Sequence, residues 1–497
     1  MPGRTRFLRL TASTLILAGI GVVAVPARAG DFDLDEDDSA KPAKTDTAPS
    51  EDQAPTPAPI ATIKPRTYSL AECLALAERN HPNLASARAR LAMFHAQLEE
   101  AKWQPWSYWN ASIRTGILPP AGGTPFYNAV PRQFVTEGLF DKPQPFFQFS
   151  ITGQIPLYTF GKITAIQDSA AGQVRVGEWD VEKQRQQIRM DVRRAYYGLM
   201  LAHDALYIGD DVIKKLQKGL DGVNAKLEKG DTTVEEADKL RLEIYNDELL
   251  TRIGEAKKGE AFAHAALRFL TGVQTAFEIP DEPLKRPDVP LGPVVRYLTA
   301  ARLFRGDLNM ARAAVAARRS YVDFQRAQLF PNIGLGIGAG YSVAPSATPQ
   351  NTAWISDPFN SQGFGAGALV GIDWGFDVLP KQARVSAAES QLEEARATER
   401  YALGGAAVEV ENAYAAVVEA KAREETWDRA EHRARRWISS TQDAIDLGTK
   451  DERFLIEPLR VYVFARANHA QSLMDFNVSM SELARVTGWD AAAPTGG

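Results

Sequence analysis

The chain has 497 residues, of which 45% are hydrophobic and one, Cys73, is a cysteine. A single cysteine excludes a disulfide framework, and a net charge of −5 gives no basic footprint for binding nucleic acid. The six histidines are scattered and stand in no metal-binding spacing, and no converging catalytic set or phosphate loop is visible. The sequence therefore predicts neither an enzyme nor a bound cofactor or metal, with surface or capping roles for the histidines and a buried Cys73.

The first 65 residues divide into two segments that precede the fold. Residues 1–29 are typical of an export signal, because three arginines precede an apolar run and the segment Ala27-Arg28-Ala29 offers a cleavage site. Residues 30–65 are acidic and rich in proline, a composition that buries too little apolar surface to fold. We therefore expect a signal that is removed and a disordered periplasmic leader. After the signal no apolar run reaches membrane-helix length, so any membrane passage must use strands.

The rest of the chain is predicted to contain two copies of one structural unit, at residues 66–290 and 291–490, with a short tail at 491–497. Similar segments recur at an offset of 216 or 218 residues; they are 192–196 with 410–414, Gly230 with Gly448, and 267–272 with 483–488. Three matches in the same order indicate an internal repeat. Each unit is expected to run helix, strand, strand, long helix, helix.

The helices are predicted from apolar periodicity and from their ends. In the first unit they are Leu70–Trp103, the long helix Lys162–Leu227, and Val234–Thr271; in the second the shorter ones are Val294–Phe330 and Phe454–Thr487. Proline after each leading helix ends it, since proline cannot continue the backbone hydrogen bonds. Two short helices placed end to end match one long helix in length, as a wall of antiparallel helices requires.

A heptad seam runs along each long helix. From Ile188 to Leu227, apolar or small residues recur at alternating steps of four and three, and a shift of 218 gives a second seam from Ala406 to Ile445. The second seam is interrupted by Glu424, Glu431 and Thr441. A period of 3.5 residues over so many turns is typical of coiled-coil packing. An ordinary core helix is much shorter than the roughly 100 Å that Lys162–Leu227 spans at 1.5 Å per residue.

Four segments with a period of two are predicted as strands, in hairpins within residues 106–158 and 332–376. In the clearest one, residues 147–155, odd positions are apolar and even positions are polar or glycine. The runs have the length of tilted membrane strands, about 9 to 11 residues. A soluble hairpin would alternate in the same way, but the export signal and the repeated length favour membrane strands. The loops 119–145 and 343–362 are expected to face the cell exterior.

Four strands cannot close a barrel, and open sheet edges are not tolerated in lipid. Two copies would give an eight-stranded barrel filled by its own side chains, whereas three would give twelve strands and a lumen. The predicted fold class is therefore a homotrimeric duct, a coiled-coil α-helical tunnel joined to a transmembrane β-barrel, in outer-membrane lipid with a long periplasmic extension. The alternative is a periplasmic coiled-coil tether or structural protein without a pore, which would not need four strands of membrane length.

Motifs along residues 66–490 carry a family resemblance. In order they are 68–74 (YSLAECL), 80–84 (NHPNL), 103–105 (WQP), 155–162 (IPLYTFGK), the Val-x-x-Ala-Tyr helix, the Gly230 tip and the Leu-Thr-Gly end. This ordered set resembles the TolC-like outer-membrane efflux protein family. The resemblance implies a homotrimer with a twelve-stranded barrel and a twelve-helix tunnel. It also implies docking to an inner-membrane transporter through a periplasmic adaptor, in a tripartite efflux pump or a type I secretion system. Residues 377–380 (DVLP) replace the glycine turn of the first unit, so the local turn is expected to differ.

The inner tip of the helices, where the two hairpins turn, is the predicted functional site. Carboxylates facing the lumen there would form a ring that favours cations, and Asp451 and Glu452 are candidates. The resemblance implies a constriction at Glu457, with Phe454 at the companion position where an acid is commoner. The other interpretation of any one of these charges is a solvated residue at a hairpin tip.

Two further roles are predicted at the tip. The resemblance implies that Lys450 and Glu236 form a latch between neighbouring hairpins, which adaptor docking would break. The adaptor is expected to contact the hairpin turns, because they lie farthest from the outer membrane. The predicted contact residues are Gly230, Asp231, Thr232, Gly448 and Thr449.

Overall fold

The computed structural model describes residues 66–118, 144–229, 235–274, 277–287, 289–343 and 363–490. The predicted export signal, leader and tail lie outside these residues, as do loop residues 119–143 and 344–362. The first hairpin tip, with Gly230, Asp231 and Thr232, also lies outside them.

The elements follow one order twice. Along the chain they are β1 (Arg66–Thr67), α1 (Leu70–Asn80), α2 (Pro82–Trp103), β2 (Trp109–Leu118), β3 (Gln144–Tyr158), α3 (Lys162–Glu228), α4 (Glu236–Thr271), β4 (Phe277–Glu278), α5 (Val294–Phe304), α6 (Gly306–Ala327), β5 (Asn332–Val343), β6 (Gly363–Asp373), α7 (Val378–Asp446) and α8 (Ile456–Thr487). The predicted strands and long helices are confirmed. Short 3-10 turns, Gln104–Trp106 and Glu452–Leu455, follow α2 and precede α8.

The prediction of one continuous leading helix per unit is wrong, because each is interrupted by an extended residue. His81 (φ −67°, ψ 127°) separates α1 from α2, and it precedes a proline, whose ring disfavours a helical conformation in the residue before it. The His81 ring accepts a hydrogen bond from the Asn83 N–H at 3.2 Å, which is the capping role expected of a histidine. Arg305 (φ −69°, ψ 123°) separates α5 from α6 in the same way.

The helices lie side by side, with α3 at the centre. It packs against α2 and α4 on one side and against α6 and α8 on the other, and α7 packs against α6 and α8. The heptad seams are at these contacts: Val192, Leu199 and Leu216 of α3 and Val410 and Val417 of α7 are almost fully buried. The prediction that two shorter helices lie along each long one is therefore confirmed. Cys73 is buried in the first core cluster, and burial raises the pKa of its thiol to about 12.

The repeated Thr-Gly sequence ends α4 and α8 in the same way. The Thr271 and Thr487 hydroxyls each donate 2.7 Å to the carbonyl four residues earlier. Gly272 (φ 71°) and Gly488 (φ 66°) are left-handed, a conformation that glycine adopts without strain. A Cβ on Gly488 would lie 2.4 Å from the Phe304 carbonyl oxygen. The motif thus lets the helix end pass against the chain at the end of α5.

The long strands form one antiparallel sheet in the order β2-β3-β5-β6. The central pair β3–β5 joins the two repeats, with Phe149 opposite Tyr341 and Ile151 opposite Ala339. In the described part of the chain, β2 and β6 each have one neighbouring strand and form the two edges.

The two faces of this sheet differ. One face carries apolar side chains, and many are exposed: Trp109, Ile113, Ile117, Phe147, Phe149, Ile151, Tyr341, Phe364, Val370 and Ile372. The other face carries mostly glycine and polar residues, such as Ser112 and Ser150, whose hydroxyls lie 2.8 Å apart. Apolar residues such as Phe146 and Leu369 interrupt this second face. The predicted alternation is therefore confirmed.

The helices account for most of the described residues. None of those helices carries an apolar stretch long and hydrophobic enough to cross a membrane.

Candidate site at the helical tip

The second hairpin turns immediately after α7. Gly448 has a φ of 70°, in the left-handed region that favours glycine. The N–H groups of Thr449 and Lys450 donate to the Ala444 carbonyl at 2.9 and 3.2 Å, and the Thr449 hydroxyl donates to the same oxygen at 2.8 Å. These bonds satisfy the free carbonyls at the helix end, so the backbone of Lys450 is held in a defined turn.

A short 3-10 turn connects this hairpin to α8. The Phe454 N–H donates to the Asp451 carbonyl at 3.0 Å, and Arg453 Nε lies 3.6 Å from Asp451 Oδ2. The Arg453 guanidinium also lies over the Phe454 ring, 5.3 Å from its centroid. Phe454 is 49% exposed. Asp451 is therefore paired within its own turn, and the side chain of Glu452 lies outside the described residues.

The first hairpin contributes the start of α4. Asp238 is buried, and its Oδ2 accepts a hydrogen bond from the Glu235 N–H at 3.3 Å. Arg241 Nη1 lies 3.8 Å from Asp238 Oδ1. Asp238 was not among the predicted site residues. The signal that could have found it is an acidic residue three positions after the start of a helix, where its side chain caps the backbone N–H groups.

These segments enclose an open cleft of about 510 Å³ between the hairpins. Its lining residues are Glu235, Asp238, Arg241, Trp437, Thr441, Lys450, Arg453, Phe454, Glu457 and Pro458. Three of the predicted residues, Lys450, Phe454 and Glu457, are thus brought together. The lining holds three carboxylates and three cationic side chains, so the cleft of one chain is balanced in charge rather than acidic.

Four predicted residues that the structure describes do not line this cleft: Asp451, Glu236, Gly448 and Thr449. Asp451 faces Arg453, and Glu236 lies one residue beyond the lining residue Glu235. Among the described residues of one chain, Lys450 forms no ion pair with Glu236 or with any other carboxylate. It lies instead in the same cleft as Glu235, Asp238 and Glu457.

A polar layer lies higher along the α7–α8 pair and explains the acidic interruptions in the second seam. His469 of α8 places Nδ1 2.7 Å from Glu431 Oε2 and Nε2 3.7 Å from Glu424 Oε1. Its hydrogen bond with Glu431 raises the pKa of His469 and lowers the pKa of Glu431. The other charged groups around the layer are Asp428, Arg286, Arg435 and Arg466.

Comparison with known proteins gives one family match, over part of the chain, and several similar folds. The family model described as "Outer membrane efflux protein" matches residues 298–488. No curated protein matches the chain by sequence. Among solved structures, the fold is similar to that of CusC, described in work on its folding and transmembrane channel formation, with 16% identity, a TM-score of 0.68, and 84% of this chain and 92% of that one covered.

Two further channels of named organisms show the same similarity. The CmeC outer membrane channel of Campylobacter jejuni is 16% identical with a TM-score of 0.68, and the alignment covers 85% of this chain and 86% of that one. The open-state MtrE outer membrane channel of Neisseria gonorrhoeae is 14% identical with a TM-score of 0.68, covering 86% and 91%. At these identities the likeness to solved structures establishes a shared fold.

Proposed function

We propose that this chain, whose predicted resemblance to the TolC-like outer-membrane efflux protein family is confirmed, is the outer-membrane exit duct of a tripartite efflux pump or a type I secretion system. It conducts substrates passively and carries out no bond chemistry of its own. The observation that carries the proposal is the four-stranded sheet, which has one exposed apolar face and, within the residues that the structure describes, two edges without a neighbouring strand.

The sheet requires partners that copies of the same chain can supply. Because every neighbouring pair of strands is antiparallel, β2 and β6 run in opposite directions. The β6 edge of one copy can therefore pair antiparallel with the β2 edge of the next. Three copies close a barrel of twelve strands with a lumen, and closure leaves no open edge in lipid. The exposed apolar face then contacts lipid, and the face rich in glycine and serine lines the lumen.

The helices offer a matching pair of edges. α4 at one edge exposes Leu240, Ile244 and Leu250, and α7 at the other edge exposes Tyr401 and Val408. Large apolar side chains exposed together mark a contact surface. In the proposed trimer the α4 edge of one copy meets the α7 edge of the next. Four helical rods per copy, with the shorter helices paired end to end, then give a twelve-helix periplasmic tunnel.

The tip is proposed as the gate and as the contact for a periplasmic adaptor that links the duct to an inner-membrane transporter. Glu457 and Phe454 share one cleft with Lys450. In a ring of three copies, Glu457 would form an acidic constriction beside an apolar one at Phe454. Lys450 has no ion-pair partner within the described residues of its own chain. In a latch, its ammonium group would therefore pair with a carboxylate of a neighbouring hairpin, either Glu236 or one of the acidic residues of the cleft. The transported substrate would then be selected mainly by the pump.

The proposal is tested by the oligomeric state and conductance of the native protein. Outer-membrane fractions are extracted in detergent, and the full chain is analysed by native mass spectrometry and by electrophoresis with and without heating. We expect a mass of three chains, migration that changes on heating, and discrete conductance steps in planar bilayers. A soluble periplasmic monomer would refute the duct and favour the coiled-coil tether. A trimer extracted from membranes that never conducts would favour a structural role.

A further inference from the structure

Three potential metal ligands converge between α3 and α4, far above the tip. They are His203 on α3 and Glu260 and His264 on α4, and one ligand atom from each lies within 4.8 Å of the others. His203 Nε2 is 3.4 Å from Glu260 Oε1, and the two imidazole rings are 6.2 Å apart between centroids. All three residues are partly buried.

The two helices hold this cluster on rigid backbone. Glu260 and His264 are four residues apart and therefore share one face of α4. His203 follows the buried seam residue Ala202, and Ala263, which precedes His264, is also buried in the core. The side chains thus project from a packed coiled-coil interface, and metal ligands placed on helices in this way are well positioned.

We infer that His203, Glu260 and His264 form a binding site for one divalent transition-metal ion, with Zn²⁺ as the best fit. Two imidazoles and one carboxylate are a common ligand set for zinc, which then keeps a fourth position for water. The side chains of His203 and Glu260 are about one-third exposed, which leaves room for that water and for the small rotations that close the ligands around an ion. Calcium and magnesium are disfavoured, because they prefer sites made of oxygen ligands alone.

The charges around the site are compatible with a cation. Histidine binds metal through a neutral imidazole, and burial lowers the pKa of His264. Glu260 supplies one negative charge, and Glu278 and Arg268 lie close enough to act on His264 with opposite signs. A bound ion would join α3 to α4 and stabilise this helix pair. The inference concerns single chains and is independent of conduction.

Calorimetric titration of Zn²⁺ into the full-length protein tests the site. The protein is purified in detergent without a polyhistidine tag, treated with a chelator and dialysed. We expect one Zn²⁺ per chain and a higher thermal unfolding temperature with zinc, because a ligand that binds only the folded state stabilises it. His203→Ala and His264→Ala should each weaken zinc binding by at least about 100-fold. Mutating a residue that only supports a metal ligand can cost this much, and these variants remove a ligand itself.

Two further variants make the result specific. His432→Ala removes an exposed histidine of α7 that belongs to no such cluster among the described residues, and it should bind zinc as the wild type does. Glu260→Gln keeps the size of the side chain while removing its charge, and it replaces the alanine variants if they fail to fold. The inference is overturned if the wild type shows no saturable zinc binding, or if the folded site variants bind zinc as well as His432→Ala does.

Discussion

Lys450 shows how a single residue can carry a predicted function without its predicted partner. The turn at Gly448 holds its backbone, yet its ammonium group has no carboxylate within ion-pair distance in the described residues of the chain. It shares an open cleft with three acidic side chains and two arginines. A lysine in this position is available to a neighbouring hairpin, and this availability is what a latch between hairpins requires.

Lys450→Ala should therefore give a more open channel. Removing the ammonium group removes the proposed attraction between hairpins, so the closed state loses stability while the tunnel walls are unchanged. Conductance of single channels in planar bilayers measures the effect, and we expect larger or longer openings than in the wild type. Lys229→Ala is the matched control, since it removes one positive charge near the tip from a residue outside the cleft lining. Equal conductance of Lys450→Ala, Lys229→Ala and wild type would eliminate the latch.

His469 predicts a dependence of stability on pH. Its raised pKa means that its contribution is complete below the ordinary value of 6.5 and is lost as pH rises through the higher folded value. The lowered pKa of Glu431 means that its contribution is present above the ordinary value of 4.5 and is lost as pH falls through the lower folded value. The stabilisation by this pair should thus be greatest between the two ordinary values, from pH 4.5 to pH 6.5.

Thermal unfolding of the detergent-solubilised protein across this pH range measures the effect. His469→Ala removes the 2.7 Å hydrogen bond to the partly buried Glu431 carboxylate, and we expect a loss of about 1–3 kcal/mol near pH 5.5. The difference from wild type should shrink towards pH 9. His469→Gln can still donate a hydrogen bond but carries no charge, so it should show less pH dependence than the wild type. A difference that stays constant from pH 5 to pH 9 would contradict the charged-pair account.

At the scale of elements, the ends of the helices decide how the two repeats pack. The Thr-Gly sequence that is common to both copies of the repeat is a helix-ending motif, and its glycine takes a left-handed conformation in each copy. At Gly488 the backbone of Phe304 lies so close that no side chain fits. The repeated sequence is therefore explained by a repeated junction between the last helix and the first helix pair of each unit.

Gly488→Ala should be strongly destabilising. The left-handed backbone alone costs an alanine about 1–2 kcal/mol, and its Cβ would clash with the Phe304 carbonyl, which belongs to the backbone. Gly254→Ala is the matched control in α4, where a Cβ meets no atom within 4 Å and where alanine favours the helix by about 1 kcal/mol. Thermal unfolding should show a clear loss for the first variant and no loss for the second. Similar unfolding temperatures for the two would show that the junction tolerates a side chain.

At the scale of the whole molecule, the sheet determines whether the protein is a membrane duct. Ile151 and Thr152 are neighbours on β3 and point to opposite faces: Ile151 lies opposite Ala339, and Thr152 opposite Gly338. Ile151→Arg places a charge on the proposed lipid face, at a cost of about 2–4 kcal/mol near the bilayer centre. Thr152→Arg places the same charge on the proposed lumen face.

Heat-modifiable oligomers in outer-membrane fractions should be greatly reduced for Ile151→Arg and retained for Thr152→Arg. Conductance of the Thr152→Arg channel should change in ion selectivity, since the new charges would line the pore. Equal oligomer yields for the two variants would contradict a sheet that has one face in lipid. Loss of both would point to a sheet packed on both faces.

Much of this organisation could be predicted because it depends on residues close together in sequence. Alternation along 147–155 and the 3.5-residue seam of α3 are periodic patterns of neighbouring side chains, and the structure confirms both. The breaks at His81 and Arg305 were missed. The break at His81 had a local signal in the following Pro82. The glycine after Arg305, Gly306, is explained by its contact with α3, because a Cβ there would lie 2.9 Å from the backbone nitrogen of Lys183.

The sequence by itself determined the repeat, the strands, the long helices and the resemblance to an efflux family, because periodicity and motif order are properties of the chain. Tertiary structure alone decided the strand order β2-β3-β5-β6, the balanced charges of the tip cleft, and the meeting of His203 with Glu260 and His264. These features join residues far apart in the sequence. Their contacts depend on how helices and strands pack, and a periodic pattern of neighbouring residues does not determine that packing.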